Sequence, residues 1–227
     1  TGHERGHADG WAFLVHLDRV QRVHHGGLSL GLHPHGGDGG TGDVGHVGCG
    51  GTGTGQGNLV SGSALYGIVV AGASNTGTQL SGNRVGTTAN GAGANANQGG
   101  GIRVQGGARQ VVIGGDSDAH RNVISGNDGD GISIDKSDTV DVLGNFIGVA
   151  VNETDALANG NVALGNTGAG VTIGDDAVDT IIGGGGAGTG NIVAGNTSVG
   201  IDIVGTASGT VIAGNTIGLG LDGTTAL

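Results

Sequence analysis

The residues with the most chemistry to offer in this chain are its acids, and they fall in pairs. Asp116 and Asp118 sit in one short polar stretch, Asp128 and Asp130 in another, all four within fifteen residues of sequence. Carboxylates so spaced could hold Ca2+ through oxygen ligands, although Asp also favours turns for its own backbone hydrogen bonding. A second group, Asp135, Asp138, Asp175, Asp176 and Asp179, recurs between aliphatic segments. If those acids stack above one another they repel unless a cation lies between them, which makes Asp135, Asp138, Asp175 and Asp176 the other calcium candidates. No cofactor is required by either reading. Arg103 and Asp135 are the candidate catalytic pair; the plainer account is a surface ion pair of small energetic value. Asp135 and Asp202 are the two carboxylates a glycosidase would need, but they belong to units two apart and have no neighbours that would raise a pKa. His24 with His25, and His33 with His35, are the nearest histidine pairs for zinc or nickel, without a fixed scaffold to hold them.

Other motifs fail on context. Gly183 to Gly188 satisfies G-x-G-x-x-G, yet Asn191-Ile-Val-Ala-Gly after it reads as a strand, where a dinucleotide site needs a helix. Lys136 lacks the preceding Gly of a phosphate loop. Eight Lys and Arg against nineteen acids give a net charge of −11, which disfavours nucleic acid as a partner because no basic stripe exists to displace phosphate counterions. One Cys excludes an internal disulfide. The longest strongly apolar run, Trp11 to Val15, is too short for a transmembrane segment. With no Met and no basic-then-apolar leader, the chain reads as a fragment or a processed product.

The elements that must position these groups repeat. A Gly followed by an alternating aliphatic pair occurs at Gly67, Gly101, Gly131, Gly170 and Gly200, at spacings of 34, 30, 39 and 30 residues. The motif N-x-[IV]-[SA]-G recurs at Asn58, Asn122 and Asn191, 64 and 69 residues apart, so long and short units alternate. Each unit holds three short strands. First-strand inward positions are Ile68, Ile102, Ile132, Val171, Ile201 and then Val70, Val104, Ile134, Ile173, Ile203. Second-strand columns are Thr78, Val111, Val140, Thr180, Thr210 and Leu80, Ile113, Val142, Ile182, Ile212. The third strand opens with Asn58, Asn83, Asn122, Asn145, Asn191 or Asn215, and an Ile or Val follows two residues later. Like residues at like positions predict an all-β stack of coils with parallel strands about 4.8 Å apart, and one Asn per coil predicts a ladder of side-chain amides.

These coils, through Asn122-Val-Ile-Ser-Gly-Asn, Asn145-Phe-Ile-Gly, Asn191-Ile-Val-Ala-Gly-Asn and Asn215-Thr-Ile-Gly, resemble right-handed parallel β-helix repeats, the fold of the pectate-lyase-like superfamily. They resemble more closely the Gly/Asn-rich, adhesin-like repeats of large bacterial secreted or surface proteins. The likeness covers about residues 57 to 227. It implies a right-handed single-stranded parallel β-helix, three strands per coil and about five coils, in a protein that is secreted or on the cell surface. Its enzymes place their acids, or an Arg with calcium-holding acids, outside the first-strand sheet. The outward column there is Val69, Arg103, Ser133, Thr172 and Asp202, then Ala71, Gln105, Asp135, Gly174 and Val204. The expected function is a non-catalytic structural or interaction segment; the alternative is a polysaccharide lyase-like enzyme acting on an acidic polysaccharide along that face. Partners are then a polysaccharide or another surface protein.

Residues 1–56 do not share the repeat. They hold eight of nine His and the only Trp, Pro and Cys, and read as a short cap with a helix over Trp11 to Val23, as a disordered segment, or as text translated out of frame. Extra residues at Gly86 to Gly100 and Gly148 to Ala169 lie between third and first strands; those near Asp116 to Arg121 and Gly185 to Gly190 lie between second and third. The last residues, Asp222 to Leu227, match Asn152 to Leu157, and the C-terminal end is expected to be an open sheet edge that pairs with further coils or self-associates.

Overall fold

The computed structural model describes residues 48–53, 56–151 and 163–227. The expected helix at Trp11 to Val23, the histidine pairs and the correspondence of the last residues with Asn152 to Leu157 lie outside them. The described residues contain strands and no helix. Strand β1 (Gly48–Gly50) comes first, ahead of the expected start of the repeat at residue 57. Five coils of three strands follow: β2 (Leu59–Val60), β3 (Tyr66–Ala71) and β4 (Gln79–Ser81); β5 (Arg84–Val85), β6 (Gly100–Gln105) and β7 (Arg109–Gly114); β8 (Val123–Ile124), β9 (Ile132–Ile134) and β10 (Asp138–Leu143). The last two are β11 (Phe146–Ile147), β12 (Val171–Ile173) and β13 (Ile181–Gly183), then β14 (Ile192–Val193), β15 (Ile201–Ile203) and β16 (Val211–Ala213), and β17 (Thr216–Ile217) begins a sixth. Each strand pairs in parallel with its counterparts in the coils before and after, giving three sheets ordered β3-β6-β9-β12-β15, β1-β4-β7-β10-β13-β16 and β2-β5-β8-β11-β14-β17. The protein is a parallel β-helix with three strands per coil.

The register is the one the aliphatic columns require. Ile68, Ile102, Ile132, Val171 and Ile201 are Cα partners in turn, as are Leu80, Ile113, Val142, Ile182 and Ile212. Period-two alternation sends these side chains to one axis, where those of the first four coils form a single buried cluster with Ile201 packed against it. Each fully buried Ile or Val contributes roughly 1.5 to 3 kcal/mol. Cys49 pairs with Leu80 and packs on the same core, so the second-strand column begins one strand before Leu80.

The Gly that opens each first strand has a steric cause. A Cβ at Gly131 would meet the Gly170 carbonyl oxygen at 2.6 Å, Asn166 Nδ2 at 2.8 Å and Ile147 Cγ2 at 2.9 Å. A second column needs left-handed backbone: Gly77, Gln110, Thr139, Asp179 and Gly209 share φ between 52° and 73° where the chain turns into the second strand. Gly takes that φ without cost, whereas a β-branched Thr is strained in it.

A smaller core lies outside the third-strand sheet. Val123, Phe146 and Ile192 point away from the axis yet are nearly fully buried, with Val149 and Ala194, and with Val151 and Leu227 packed against them. The Arg121 guanidinium covers the Phe146 ring at 4.3 Å from its centroid. This sheet is therefore buried on its outer side as well, where residues of the corner loops pack over it.

Candidate functional site

On the outer side of the first-strand sheet, β3, β6, β9 and the residue after β9 bring four side chains together, Tyr66, Arg103, Ser133 and Asp135. Arg103 and Ser133 are Cα partners in adjacent strands, and Val69 precedes them in the same file. Arg103 Nη2 donates to Asp135 Oδ2 at 3.1 Å, and the Ser133 hydroxyl donates to the same oxygen at 3.3 Å. The Arg103 guanidinium also lies 5.3 Å from the Tyr66 ring centroid, within cation–π range. Gly174 makes room for this arrangement, since a Cβ there would meet Asp135 Oδ1 at 2.1 Å. The sequence-predicted pair Arg103 and Asp135 is therefore in contact, about one third exposed on both sides, and each charge is already engaged by the other. Asp202 lies on β15, two strands from Ser133 in the same sheet, and does not join it.

The acids proposed for calcium are dispersed. Asp116 pairs with His120 and Asp118 with Arg121 at the corner between second and third strands. Asp128 accepts from the Thr167 hydroxyl and Asp130 from the Ala169 N–H, both at the corner between third and first strands. At the third corner, Asp138 lies level with Arg109 and Val178, Asp176 accepts from the Thr206 hydroxyl, and Asp175 and Asp179 are exposed. Their neighbours in adjacent coils are Arg109 and Val178 for Asp138, Thr167 for Asp128, Thr206 for Asp176, Gly174 for Asp135, and Lys136 and Gly205 for Asp175, so these acids do not stack on one another as expected. Among the described residues no three His, Cys, Asp or Glu side chains converge.

The polar groups that do converge are amides. Asn58, Asn83, Asn122, Asn145, Asn191 and Asn215 form one unbroken ladder, each Nδ2 donating to the next Oδ1 at 2.8 to 3.1 Å. Each backbone N–H donates to that same oxygen, and the second Nδ2 hydrogen goes to a strand carbonyl such as Leu80 or Ile113. A rung buried in this way leaves no polar atom unsatisfied.

A second ladder was missed by the sequence reading. Asn97, Asn127, Asn166 and Asn196 join Nδ2 to Oδ1 at 2.8 to 2.9 Å, and the Ser63 N–H donates to Asn97 Oδ1. Its signal was present: Ser63 and these four Asn each stand four residues before the Gly that opens a first strand. It escaped because the separation from the first ladder varies, from five residues at Asn122 to Asn127 to 21 at Asn145 to Asn166.

Two other groups have perturbed acidity. Burial pushes the Cys49 thiol up to about 11 against a lowering contact from Asn58 Nδ2, so it stays protonated and unreactive near neutral pH. Burial also raises the Asp141 carboxyl, whose Oδ1 is enclosed between the coils of Val112 and Ile181 with no hydrogen-bond partner.

No protein-family model, no curated protein sequence and no solved structure matches this chain.

Proposed function

We propose that this chain is a non-catalytic structural or interaction β-helix segment of a larger bacterial secreted or cell-surface repeat protein. Support comes from the paired ladders: the aligned Asn side chains bond to one another and to strand carbonyls, which is chemistry for stacking coils. The bacterial and surface assignment rests on the likeness of the Gly/Asn-rich coils to such repeats, and the partners that suit an acidic, repetitive surface are a polysaccharide or another surface protein.

One arrangement favours a second reading, a polysaccharide lyase-like activity on acidic chains. Arg103 stands on the outer face of the first-strand sheet beside Tyr66, a cation next to an aromatic platform. In its free state Arg103 is held by Asp135, so a uronate would have to displace a carboxylate already in place. Incubating the protein with acidic polysaccharides and measuring unsaturated uronides separates the two. No release is expected; product formation that disappears in Arg103→Ala would overturn the structural reading.

A further inference from the structure

Among the asparagines of the described residues, Asn90 alone is followed by glycine. The chain's other Asn-Gly pair, Asn159-Gly160, lies outside them. A Cβ on the following residue hinders the approach of that residue's backbone nitrogen to the asparagine side-chain carbon, and Gly91 has none. The pair sits in the loop between third and first strands of the second coil, which the Thr88 N–H closes on the Gly93 carbonyl at 2.7 Å. Asn90 is exposed there, so water reaches it.

The loop aims two donors at the Asn90 side-chain oxygen. The Thr88 hydroxyl donates to Oδ1 at 2.7 Å, and the Ala92 N–H donates to it at 3.2 Å. That hydroxyl is oriented in turn by the Gly93 N–H, which it accepts at 3.1 Å, and its alternative acceptor, the Gly93 carbonyl, is farther away at 3.3 Å. Donors on a carbonyl oxygen draw charge from its carbon and stabilise the negative oxygen formed when a nucleophile adds. Ladder asparagines such as Asn122 and Asn145 also receive two donors on Oδ1, but they are fully buried, their amide nitrogens are held by Asn and strand oxygens, and bulky Val123 and Phe146 follow them. One contact opposes reaction at Asn90: the Gly91 N–H donates to the Thr88 carbonyl at 2.9 Å, so this exposed turn opens before the nitrogen attacks.

We propose that Asn90 is a self-modification site at which the chain converts its own side-chain amide to an acid. The Gly91 nitrogen gives its proton to water and bonds to Asn90 Cγ; the Cγ–Nδ2 bond breaks, and Nδ2 leaves as ammonia after taking a proton from water. The product is a five-membered succinimide. Water then adds to one of the two ring carbonyls, opening the ring to aspartate or to isoaspartate at position 90. Water is the only co-reactant.

The site is placed where this change has a structural effect. The Gly91 carbonyl accepts the Val151 N–H at 3.1 Å, and a Cβ on Gly91 would meet Val151 Cγ2 at 2.3 Å, so the loop of the second coil fits closely against that of the fourth. Isoaspartate routes the backbone through the side-chain carbon and lengthens it just before Gly91. The contact between the two loops should therefore loosen as the modified fraction grows.

The test is to hold the folded full chain at mildly alkaline pH in heavy-oxygen water and follow each asparagine by peptide mass mapping. Asn90 should take up the label about tenfold faster than any ladder asparagine, with isoaspartate among its products; Thr88→Val should slow it about fivefold and Thr88→Ser should not. In urea, wild type and Thr88→Val should react at one rate. An Asn90 that keeps its amide as long as the ladder does would overturn the site. A Thr88→Val rate equal to wild type in the folded chain, or a difference that persists in urea, would overturn the role given to the folded loop. Amide exchange at Val151 should quicken in the modified protein, and unchanged exchange there would overturn the loosening.

Discussion

Asp141 is a charge in the wrong place for stability. Its neighbours in register are Val112 and Ile181, its carboxyl is partly buried, and one oxygen has no donor. Burial raises its folded pKa above 3.8, so between that value and the raised one the folded state binds more protons than the unfolded state, and stability falls as pH rises through the window. Asp141→Asn is therefore expected to raise the urea midpoint at pH 7. The gain should vanish below pH 3.8, where both forms are neutral; a gain that persists at low pH would point to packing instead. The opposite case is Asp222, held down to about 2 by hydrogen bonds first from Thr225 and then from Thr224, so any stability it adds is present above 3.8 and lost as pH falls toward 2. The Asp141 shift was not legible beforehand, because it depends on which residues the neighbouring coils set alongside, whereas that of Asp222 is set within its own turn by Thr225 and Thr224.

At the scale of the element, the ladder makes each strand start depend on its neighbours. Asn145 Oδ1 receives the Asn122 N–H and Nδ2, while its own Nδ2 serves Asn191 Oδ1 and the Ile113 carbonyl. Replacing it by Leu leaves several of these buried groups unpaired, each costing roughly 1 to 3 kcal/mol. Asn145→Leu is expected to lose about 3 kcal/mol or more in urea unfolding, while Asn90→Leu, at an exposed loop position, should change little. Equal effects at the two sites would mean that the ladder adds nothing. The first ladder and the three aliphatic registers could be read from the chain because identity and spacing coincide there: an Asn, then Ile or Val two residues on. What hid the rest was geometry at the corners. The second ladder is keyed to the Gly after it and not to the strand before it, and the buried outer file Val123, Phe146 and Ile192 depends on loops whose lengths differ from coil to coil. Likewise Arg103 and Asp135 could be placed on one face from alternation, but the Tyr66 ring that covers the guanidinium sits at the strand's start and was not part of that file.

Taken whole, the molecule is a one-dimensional stack in which the strands of each coil pair only with those of the coils before and after, with a loop hydrogen bond from the fourth coil to the second (Val151 N–H to the Gly91 carbonyl), so its stability should be graded along the axis. Backbone amide exchange is expected to be slowest in β7 to β13, whose coils are covered on both sides, and fastest in β15 to β17. Uniform protection from β7 to β17 would show that the chain opens as a single unit. The two ladders also bracket one corner. Between their rungs the chain takes five residues at Asn122 to Asn127 and Asn191 to Asn196, but 14 at Asn83 to Asn97 and 21 at Asn145 to Asn166, with every rung kept. The hydrogen bonds on either side of that corner do not register how much chain hangs between them. Evolution can thus enlarge, shorten or exchange what is displayed there while the axle behind it keeps its pitch, and an engineer could do the same.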